Sequence, residues 1–214
     1  MEHSFKAYND YAESITTEES AVLAALNRET NLKVEMPQML SGHLQGGMLA
    51  MLSRMIRPRR ILEIGTYTGY STICLAQGLT EDGILHTIDI NEELADMQQH
   101  YWQQAGLAEK IIPHLGRAAE VIPTLNETFD LVFIDADKQG YAGYYDLIID
   151  RVRPGGFIFA DNVLYDGEVL LPPVEQSKNG KAIQAFNEKL KADSRVVQVL
   201  LPLRDGLLIA QKRS

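Results

Sequence analysis

Two short stretches of the chain end in polar residues that could bind one divalent cation. Asp135 follows the apolar run Phe129–Ile134, and Asp161 and Asn162 follow the apolar run at 156–160. Because parallel strands end at the same edge of a sheet, adjacent strands would bring these side chains together where open α/β folds bind ligands. Two carboxylates and an amide oxygen suit Mg²⁺ or Ca²⁺ better than Zn²⁺. Helix capping, which Asp and Asn favour, is the structural alternative.

A glycine-rich loop follows the first predicted strand, Arg60–Ile64, and precedes a predicted helix at 70–78. Such a loop is typical of nucleotide-binding α/β folds. The dinucleotide fingerprint would need three glycines, but the chain has Gly65 followed by Tyr67 and Tyr70 at the other two positions. Bulky side chains there would keep a pyrophosphate away from the helix N-terminus, so the pattern disfavours NAD.

A nucleoside without phosphates fits this loop better. Asp89 closes the second predicted strand, at 84–88, and its carboxylate can accept hydrogen bonds from both hydroxyls of a ribose. Acidic residues such as Glu63 and Asp89 suit the ribose, the amino group and the sulfonium of S-adenosylmethionine. A tight turn without any ligand is the structural alternative.

From residue 60 onwards, short β-rich runs alternate with helical stretches, which predicts a parallel sheet with helices on both faces. The predicted strands lie at 60–64, 84–88, 111–114, 129–134 and 156–160, and the predicted helices at 70–78, 92–105, 118–125 and 141–152. We expect a break at Pro154-Gly155-Gly156 before the fifth strand. A further helix at 181–191 precedes two runs, 195–201 and 207–210, which predict a terminal hairpin around Asp205-Gly206 and hence an antiparallel strand.

Residues 1–57 are predicted to be mostly helical, with one helix opened by residues 17–20 and another at about 43–56. Three roles are open for this segment, namely a lid over the site, a dimer contact or simple packing on the sheet. No linker or repeat divides the chain, so we expect a single domain over 1–214 with its core at 58–214.

The bulk composition excludes several classes of protein. The 214 residues carry a net charge of −9, which disfavours nucleic acid as a partner. Cys74 is the only cysteine and lies in an apolar segment, so we expect a buried thiol and no intramolecular disulfide. No run approaches the roughly 20 apolar residues of a membrane span, and the N-terminus has no apolar signal core. We therefore expect a cytoplasmic protein without a membrane partner.

Three motifs resemble the cation-dependent O-methyltransferases, and more narrowly the caffeoyl-CoA and catechol O-methyltransferase group. They are LEIGTYTGYS at 62–71, FIDADK at 133–138 and DNVL at 161–164, and they follow the family's order within residues 38–212. The resemblance implies the Rossmann-like, seven-stranded sheet of S-adenosylmethionine-dependent methyltransferases, mostly parallel with an antiparallel last strand. It also implies a homodimer and a small aromatic substrate.

The resemblance assigns roles to individual residues. It makes Asp135, Asp161 and Asn162 the metal ligands, and Lys138 and Asp135 the catalytic residues. The implied S-adenosylmethionine pocket contains Ser41, Glu63, Gly65, Thr66, Ser71, Asp89, Ala118 and Asp137. Tyr165 and Asp166 stand where plant caffeoyl-CoA enzymes usually have Trp and Asn, which leaves the acceptor open between free catechols, flavonoids and coenzyme A thioesters.

The implied chemistry is an in-line displacement, in which alignment of the two reactants supplies much of the acceleration. Coordination of two vicinal hydroxyls by a dication would stabilise the phenolate, and Lys138 would take the hydroxyl proton. A lysine that merely pairs with Asp135 or Asp137 is the alternative. The sequence thus predicts methyl transfer from S-adenosylmethionine to a catechol-like acceptor. A nucleoside-binding protein without turnover and an NAD-linked oxidoreductase remain as alternatives.

Overall fold

The computed structural model describes residues 5–214, which contain eight α-helices and seven strands. The strands are β1 (Arg60–Ile64), β2 (Ile84–Asp89), β3 (Ile111–Leu115), β4 (Phe129–Ile134), β5 (Val152–Asp161), β6 (Val196–Leu201) and β7 (Leu207–Lys212). The helices are α1 (Phe5–Ile15), α2 (Ala21–Lys33), α3 (Gly42–Ile56), α4 (Tyr70–Ala76), α5 (Ala95–Gln104), α6 (Ala118–Val121), α7 (Tyr141–Ile148) and α8 (Lys178–Ala192).

All seven strands form one sheet in the order β3-β2-β1-β4-β5-β7-β6. Strands β1 to β5 pair in parallel, whereas β7 runs antiparallel to both β5 and β6. The predicted fold class, a mostly parallel sheet with an antiparallel last strand, is therefore confirmed. The strand order reverses between β1 and β4, and ligands of open α/β sheets bind at the carboxyl ends of strands at such a reversal.

Alternate residues of the central strands point to opposite faces, and both faces are buried. In β4, Leu131 and Phe133 pack in a cluster with α2, α3, α4 and α5, whereas Val132 and Ile134 pack in a cluster with α6, α7 and α8. Continuous apolar runs such as that of β4 are typical of strands covered on both sides. The helices on both faces thus follow from the sequence pattern.

The N-terminal helices lie on the α4 side of the sheet. Ser20 is the N-cap of α2, and its hydroxyl oxygen accepts a hydrogen bond from the N–H of Leu23 at 3.3 Å. Gly46 of α3 lies so close to Tyr70 and Cys74 of α4 that a side chain at this position would collide with them. Cys74 is buried, as expected. No helix within residues 5–214 is both long and apolar enough to cross a membrane.

The fifth strand differs from its predicted limits. It begins at Val152, and the predicted break at Pro154-Gly155-Gly156 lies inside it. The pairing with β4 shifts there, because Phe129 pairs with Val152 whereas Leu131 pairs with Phe157. Since proline has no N–H to donate and Gly155 has a positive φ of 74°, the segment bulges without ending the strand.

Candidate active site

A cavity of about 910 Å³ lies at the carboxyl ends of β1, β2, β4 and β5. Its wall contains nearly all of the residues predicted for the site: Ser41, Gly65, Thr66, Ser71, Asp89, Ala118, Asp135, Asp137, Lys138, Asp161 and Asn162. Glu63 does not line this cavity. The structure thus brings the predicted metal, catalytic and cofactor residues to one site, with one exception.

Gly65 allows the loops after β1 and β4 to touch. Its φ is +99°, and a side chain on it would collide with the carbonyl oxygen of Asp135. The N–H of Asp135 in turn donates to the carbonyl oxygen of Ile64 at 2.8 Å. Only glycine combines this backbone conformation with so close an approach. The glycine of the sequence motif therefore places the nucleoside-type loop directly against the candidate metal ligands.

Asp89 holds the glycine-rich loop in place. Its Oδ2 atom accepts hydrogen bonds from the N–H groups of Thr66 at 3.0 Å and Tyr67 at 2.8 Å. Its Oδ1 atom accepts one from the N–H of Asn91 at 2.9 Å. Because each carboxylate oxygen has more than one acceptor site, the side chain keeps capacity for a ligand in the cavity. Binding of ribose by Asp89 stays a prediction.

Glu63 lies beneath the cavity and is fully buried. Its carboxylate accepts hydrogen bonds from the hydroxyls of Ser71 at 2.6 Å, Thr72 at 2.5 Å and Thr87 at 2.7 Å. Burial raises the pKa of the Glu63 carboxyl to about 7, and the three hydroxyl donors oppose that rise. Glu63 therefore reaches the cavity wall indirectly, by holding the hydroxyl of Ser71.

Lys138 connects the two loops that carry the candidate metal ligands. Its Nζ atom donates to Oδ1 of Asp135 at 3.1 Å and to Oδ1 of Asn162 at 2.9 Å. It also donates to the hydroxyl of Tyr141 at 2.8 Å, and that hydroxyl donates to the backbone carbonyl oxygen of Asp161 at 3.0 Å. The ammonium group of Lys138 thus lies between Oδ1 of Asp135, in the loop after β4, and Oδ1 of Asn162, in the loop after β5.

Asp161 is the most enclosed of the three candidate ligands, with 3% of its surface exposed. Its Oδ1 atom accepts the N–H of Asn162 at 2.8 Å, and its Oδ2 atom accepts Nε2 of Gln45 at 2.6 Å. Burial raises the pKa of the Asp161 carboxyl above its usual range, and the charge of Asp135 acts in the same direction. A positive charge placed beside both carboxylates would relieve this cost.

The residues present fit a divalent cation. The Oδ1 atoms of Asp135 and Asn162 converge on a single nitrogen, as two ligands of one ion must, and the set contains only oxygen donors. Within residues 5–214 no group of three or more His, Cys, Asp or Glu side chains is arranged to hold a metal. Asp135, Asp161 and Asn162 include only two side chains of these types, because the third is an asparagine.

Asp137 and Ser41 both line the cavity. The hydroxyl of Tyr144 donates a hydrogen bond to Oδ1 of Asp137. The backbone carbonyl of Ser41 accepts one from the guanidinium of Arg204. Both predicted residues are thus fixed by partners that the sequence analysis did not identify.

Sequence reasoning missed several residues that contact the predicted site residues, among them Gln45, Tyr141, Tyr144 and Arg204. Tyr141 could have been found, because it lies one helical turn after Lys138 in the chain. The sequence around Gln45 and Arg204 gives no sign of their role, because their partners in the site are more than 100 residues away in the chain.

Comparison with known proteins identifies relatives of this chain. Residues 13–213 match the model of a family described as O-methyltransferase. The probable caffeoyl-CoA O-methyltransferase 2 of Dictyostelium discoideum is 32% identical over 96% of this chain and 93% of that protein. Caffeoyl-CoA O-methyltransferase 5 of Nicotiana tabacum is 35% identical over 86% and 82% of the two chains.

A solved structure shows the same fold. The O-methyltransferase TomG of Streptomyces achromogenes, involved in tomaymycin synthesis and solved in complex with SAM, is 30% identical and has a TM-score of 0.90. The match covers 97% of this chain and 96% of that one. The predicted resemblance is confirmed, and the chain belongs to the O-methyltransferase family.

Proposed function

We propose that the protein transfers a methyl group from S-adenosylmethionine to a hydroxyl of a catechol-like acceptor and requires a divalent cation, Mg²⁺ or Ca²⁺. The observation that carries the proposal is the contact of Lys138 with Asp135 at 3.1 Å and with Asn162 at 2.9 Å. A potential base and two oxygen ligands occupy one wall of a cavity that also opens onto the glycine-rich loop.

The donor side of the proposal rests on the loop after β1 and on Asp89. Gly65, Thr66 and Ser71 line the cavity beside that carboxylate, which can accept hydrogen bonds from ribose hydroxyls. TomG, with the same fold, was solved with SAM. We extend that methyl donor to this protein, with Ser41 contacting its methionine end.

The acceptor side of the proposal rests on Asp135, Asp161 and Asn162, which would hold the cation. When bound, the cation stabilises a phenolate and fixes two vicinal hydroxyls in position. The two carboxylates supply two negative charges, which match a dication. The low exposure of Asp161 strengthens its attraction for a positive charge, because little water screens the interaction.

Lys138, in its neutral form, would accept the proton of the reacting hydroxyl. The acceptor oxygen then bonds to the methyl carbon while the carbon–sulfur bond breaks, and sulfur keeps the electron pair to give a neutral thioether. The hydroxyl of Tyr141, 2.8 Å from the Nζ atom of Lys138, holds this base at the cavity wall. Alignment of oxygen, methyl and sulfur by the surrounding loops supplies much of the acceleration.

Tyr165 also lines the cavity, and we assign it to the acceptor side. Its hydroxyl accepts a hydrogen bond from Nδ2 of Asn179 at 2.8 Å, which holds the ring in place. Aromatic rings pair in offset-stacked or edge-to-face arrangements, so this residue suits a planar catechol. The relatives named as caffeoyl-CoA O-methyltransferases make the coenzyme A thioester of a catechol a second form of the same acceptor class.

A methyl-transfer assay over catechols, flavonoids and caffeoyl thioesters, with and without a chelator, tests the proposal. We expect turnover of vicinal diols, little turnover of the matching monophenols, loss of activity with chelator and recovery on addition of Mg²⁺. Turnover unaffected by the chelator would contradict the cation requirement. A thermal shift with NAD but none with S-adenosylmethionine would contradict the donor and favour the oxidoreductase.

The remaining expectations from the sequence stay predictions. They are the homodimer, the cytoplasmic location and the absence of nucleic-acid and membrane partners.

A further inference from the structure

Gln45 joins the candidate metal site to a distant part of the chain. It lies in α3 and is 1% exposed. Its Nε2 atom donates to Oδ2 of Asp161 at 2.6 Å, and its Oε1 atom accepts Nη1 of Arg204 at 3.3 Å. The three side chains thus form a continuous hydrogen-bonded line from the loop between β6 and β7 to the end of β5.

The chemistry of the two outer groups fixes the orientation of the amide between them. A guanidinium can only donate hydrogen bonds, and an ionised carboxylate can only accept them. Gln45 must therefore turn its oxygen to Arg204 and its nitrogen to Asp161. The reverse orientation would place two donors against each other at one end and two acceptors at the other.

This line constrains the Asp161 carboxylate at both oxygens. Oδ2 is held by Gln45, and Oδ1 is held by the N–H of Asn162 at 2.8 Å. Rotation of the carboxylate would break both hydrogen bonds. Because Asp161 is only 3% exposed, bulk water would not replace them. Asp135 differs, because its carboxylate accepts a hydrogen bond from the long and flexible side chain of Lys138.

Arg204 is itself well anchored. Its Nη1 atom also donates to the backbone carbonyl oxygens of Leu40, at 2.9 Å, and Ser41. Both of these residues line the cavity. The guanidinium therefore cannot move away from Gln45 without also releasing this part of the wall.

We propose that Gln45, oriented by Arg204, is a positioning residue that sets the Asp161 carboxylate in the geometry needed to bind the cation. The inference rests on the proposed function, because it concerns the affinity of the same site. Partners of metal ligands that do not touch the metal typically change metal affinity by about 10- to 100-fold when they are removed. Gln45 is such a partner, since it reaches the site only through Asp161.

The test compares Gln45→Met with Gln176→Met. Methionine matches glutamine in length but has no amide, and Gln176 is a buried glutamine, 6% exposed, whose Nε2 atom bonds to Leu171 and Gln184 and not to the site. Mg²⁺ and Mn²⁺ affinity is measured by calorimetry on the purified full chain, together with S-adenosylmethionine affinity and the thermal midpoint. Gln45→Asn, which keeps the amide but is one methylene too short, is the second variant in case the first fails to fold.

We expect Gln45→Met and Gln45→Asn to lose cation affinity by about tenfold or more, with S-adenosylmethionine affinity within about twofold of the original. Gln176→Met should keep both affinities. In assays, the cation concentration for half-maximal rate should rise, and the rate should recover at saturating cation.

Unchanged cation affinity in both Gln45 variants would overturn the inference while leaving the proposed function intact. Equal losses of cation and S-adenosylmethionine affinity would also overturn it, because they indicate a general structural role. If the unsubstituted protein itself binds no divalent cation, the proposed cation requirement and this inference both fall.

Discussion

The Nζ atom of Lys138 lies 2.9 Å from the Oδ1 atom of Asn162, although 24 residues separate them in the chain. The same nitrogen is 3.1 Å from Oδ1 of Asp135. An ammonium group and a dication would therefore compete for the same two oxygens. Because the positive charge of Lys138 repels a second cation nearby, removal of that charge should strengthen cation binding.

Replacement of Lys138 by methionine separates catalysis from binding. We expect Lys138→Met to lower the methyl-transfer rate by about 10²- to 10⁴-fold, the usual contribution of a general base. S-adenosylmethionine affinity should stay within about twofold, and Mg²⁺ affinity should rise, because the competing ammonium is gone. Single-turnover kinetics and calorimetry measure these effects. Lys189→Met is the control, since Lys189 pairs with Asp146 on the surface at 2.6 Å. Full activity of the Lys138 variant would identify a lysine that only forms an ion pair.

Asn162 allows the ligand role to be separated from its backbone conformation. Its φ is 56°, in the left-handed region, where asparagine and glycine are tolerated. We expect Asn162→Gly to keep the fold but to lower cation affinity at least about tenfold, because an oxygen ligand is lost. Asn162→Asp keeps an oxygen and adds a charge, so it should retain cation binding. Equal cation affinities of the glycine and aspartate variants, measured by calorimetry, would exclude Asn162 as a ligand.

The sequence predicts those parts of the site that follow directly from strand ends. The apolar run of β4 ends at Ile134 and that of β5 at Ala160, so Asp135 and Asp161 had to meet at one edge once the strands were paired. Local patterns suffice here, because the period of the strand and the parallel pairing determine both positions. The antiparallel hairpin was predictable for another reason, because Asp205-Gly206 is a turn signal between two apolar runs.

Tertiary contacts between distant segments were out of reach. Gln45 contacts Asp161 across 116 residues, and Arg204 contacts Gln45 across 159. Nothing in the neighbourhood of either residue in the chain indicates a partner, since α3 has ordinary helical periodicity. Glu63 was predicted to line the cofactor pocket but lies buried beneath it. A strand residue before the loop can face the protein interior as readily as the cavity. Its burial depends on packing between whole elements.

Gly65 tests how closely the two loops of the site must approach. Gly65→Ala would strain a backbone with φ of +99° and push against the carbonyl oxygen of Asp135. Such strain costs about 1–3 kcal/mol by itself, and the collision adds to it. We expect a clear drop in the urea midpoint and loss of S-adenosylmethionine binding. Gly143→Ala is the matched control, because that glycine of α7 has open space around it and alanine there should stabilise by about 0.5–1 kcal/mol. Similar stabilities of the two variants would rule out the close contact.

Glu63 makes the stability of the fold depend on pH in a definite direction. Its folded-state pKa is raised from 4.5 to about 7 because the carboxyl is fully buried. Between these values the folded protein binds more protons than the unfolded chain, so this group lowers the free energy of unfolding as pH rises. Its stabilising effect is complete below pH 4.5 and lost above about pH 7. The full difference is on the order of 3 kcal/mol, from 1.36 kcal/mol per pKa unit.

Glu63→Gln removes this titration while keeping the shape of the side chain. The hydroxyls of Ser71, Thr72 and Thr87 can accept as well as donate, so they can accommodate an amide. Urea unfolding at a series of pH values gives the free energy of unfolding of both proteins. Subtracting the value of the variant from that of the unsubstituted protein cancels the contributions of all other groups. The difference should fall from pH 4.5 to 7 and then level off. Glu188→Gln, on the surface beside Lys191, is the control for loss of a carboxylate outside the core. A flat difference for Glu63→Gln would mean that the three hydroxyl hydrogen bonds fully offset the cost of burial, so that the Glu63 pKa is the same in the folded protein and in the unfolded chain.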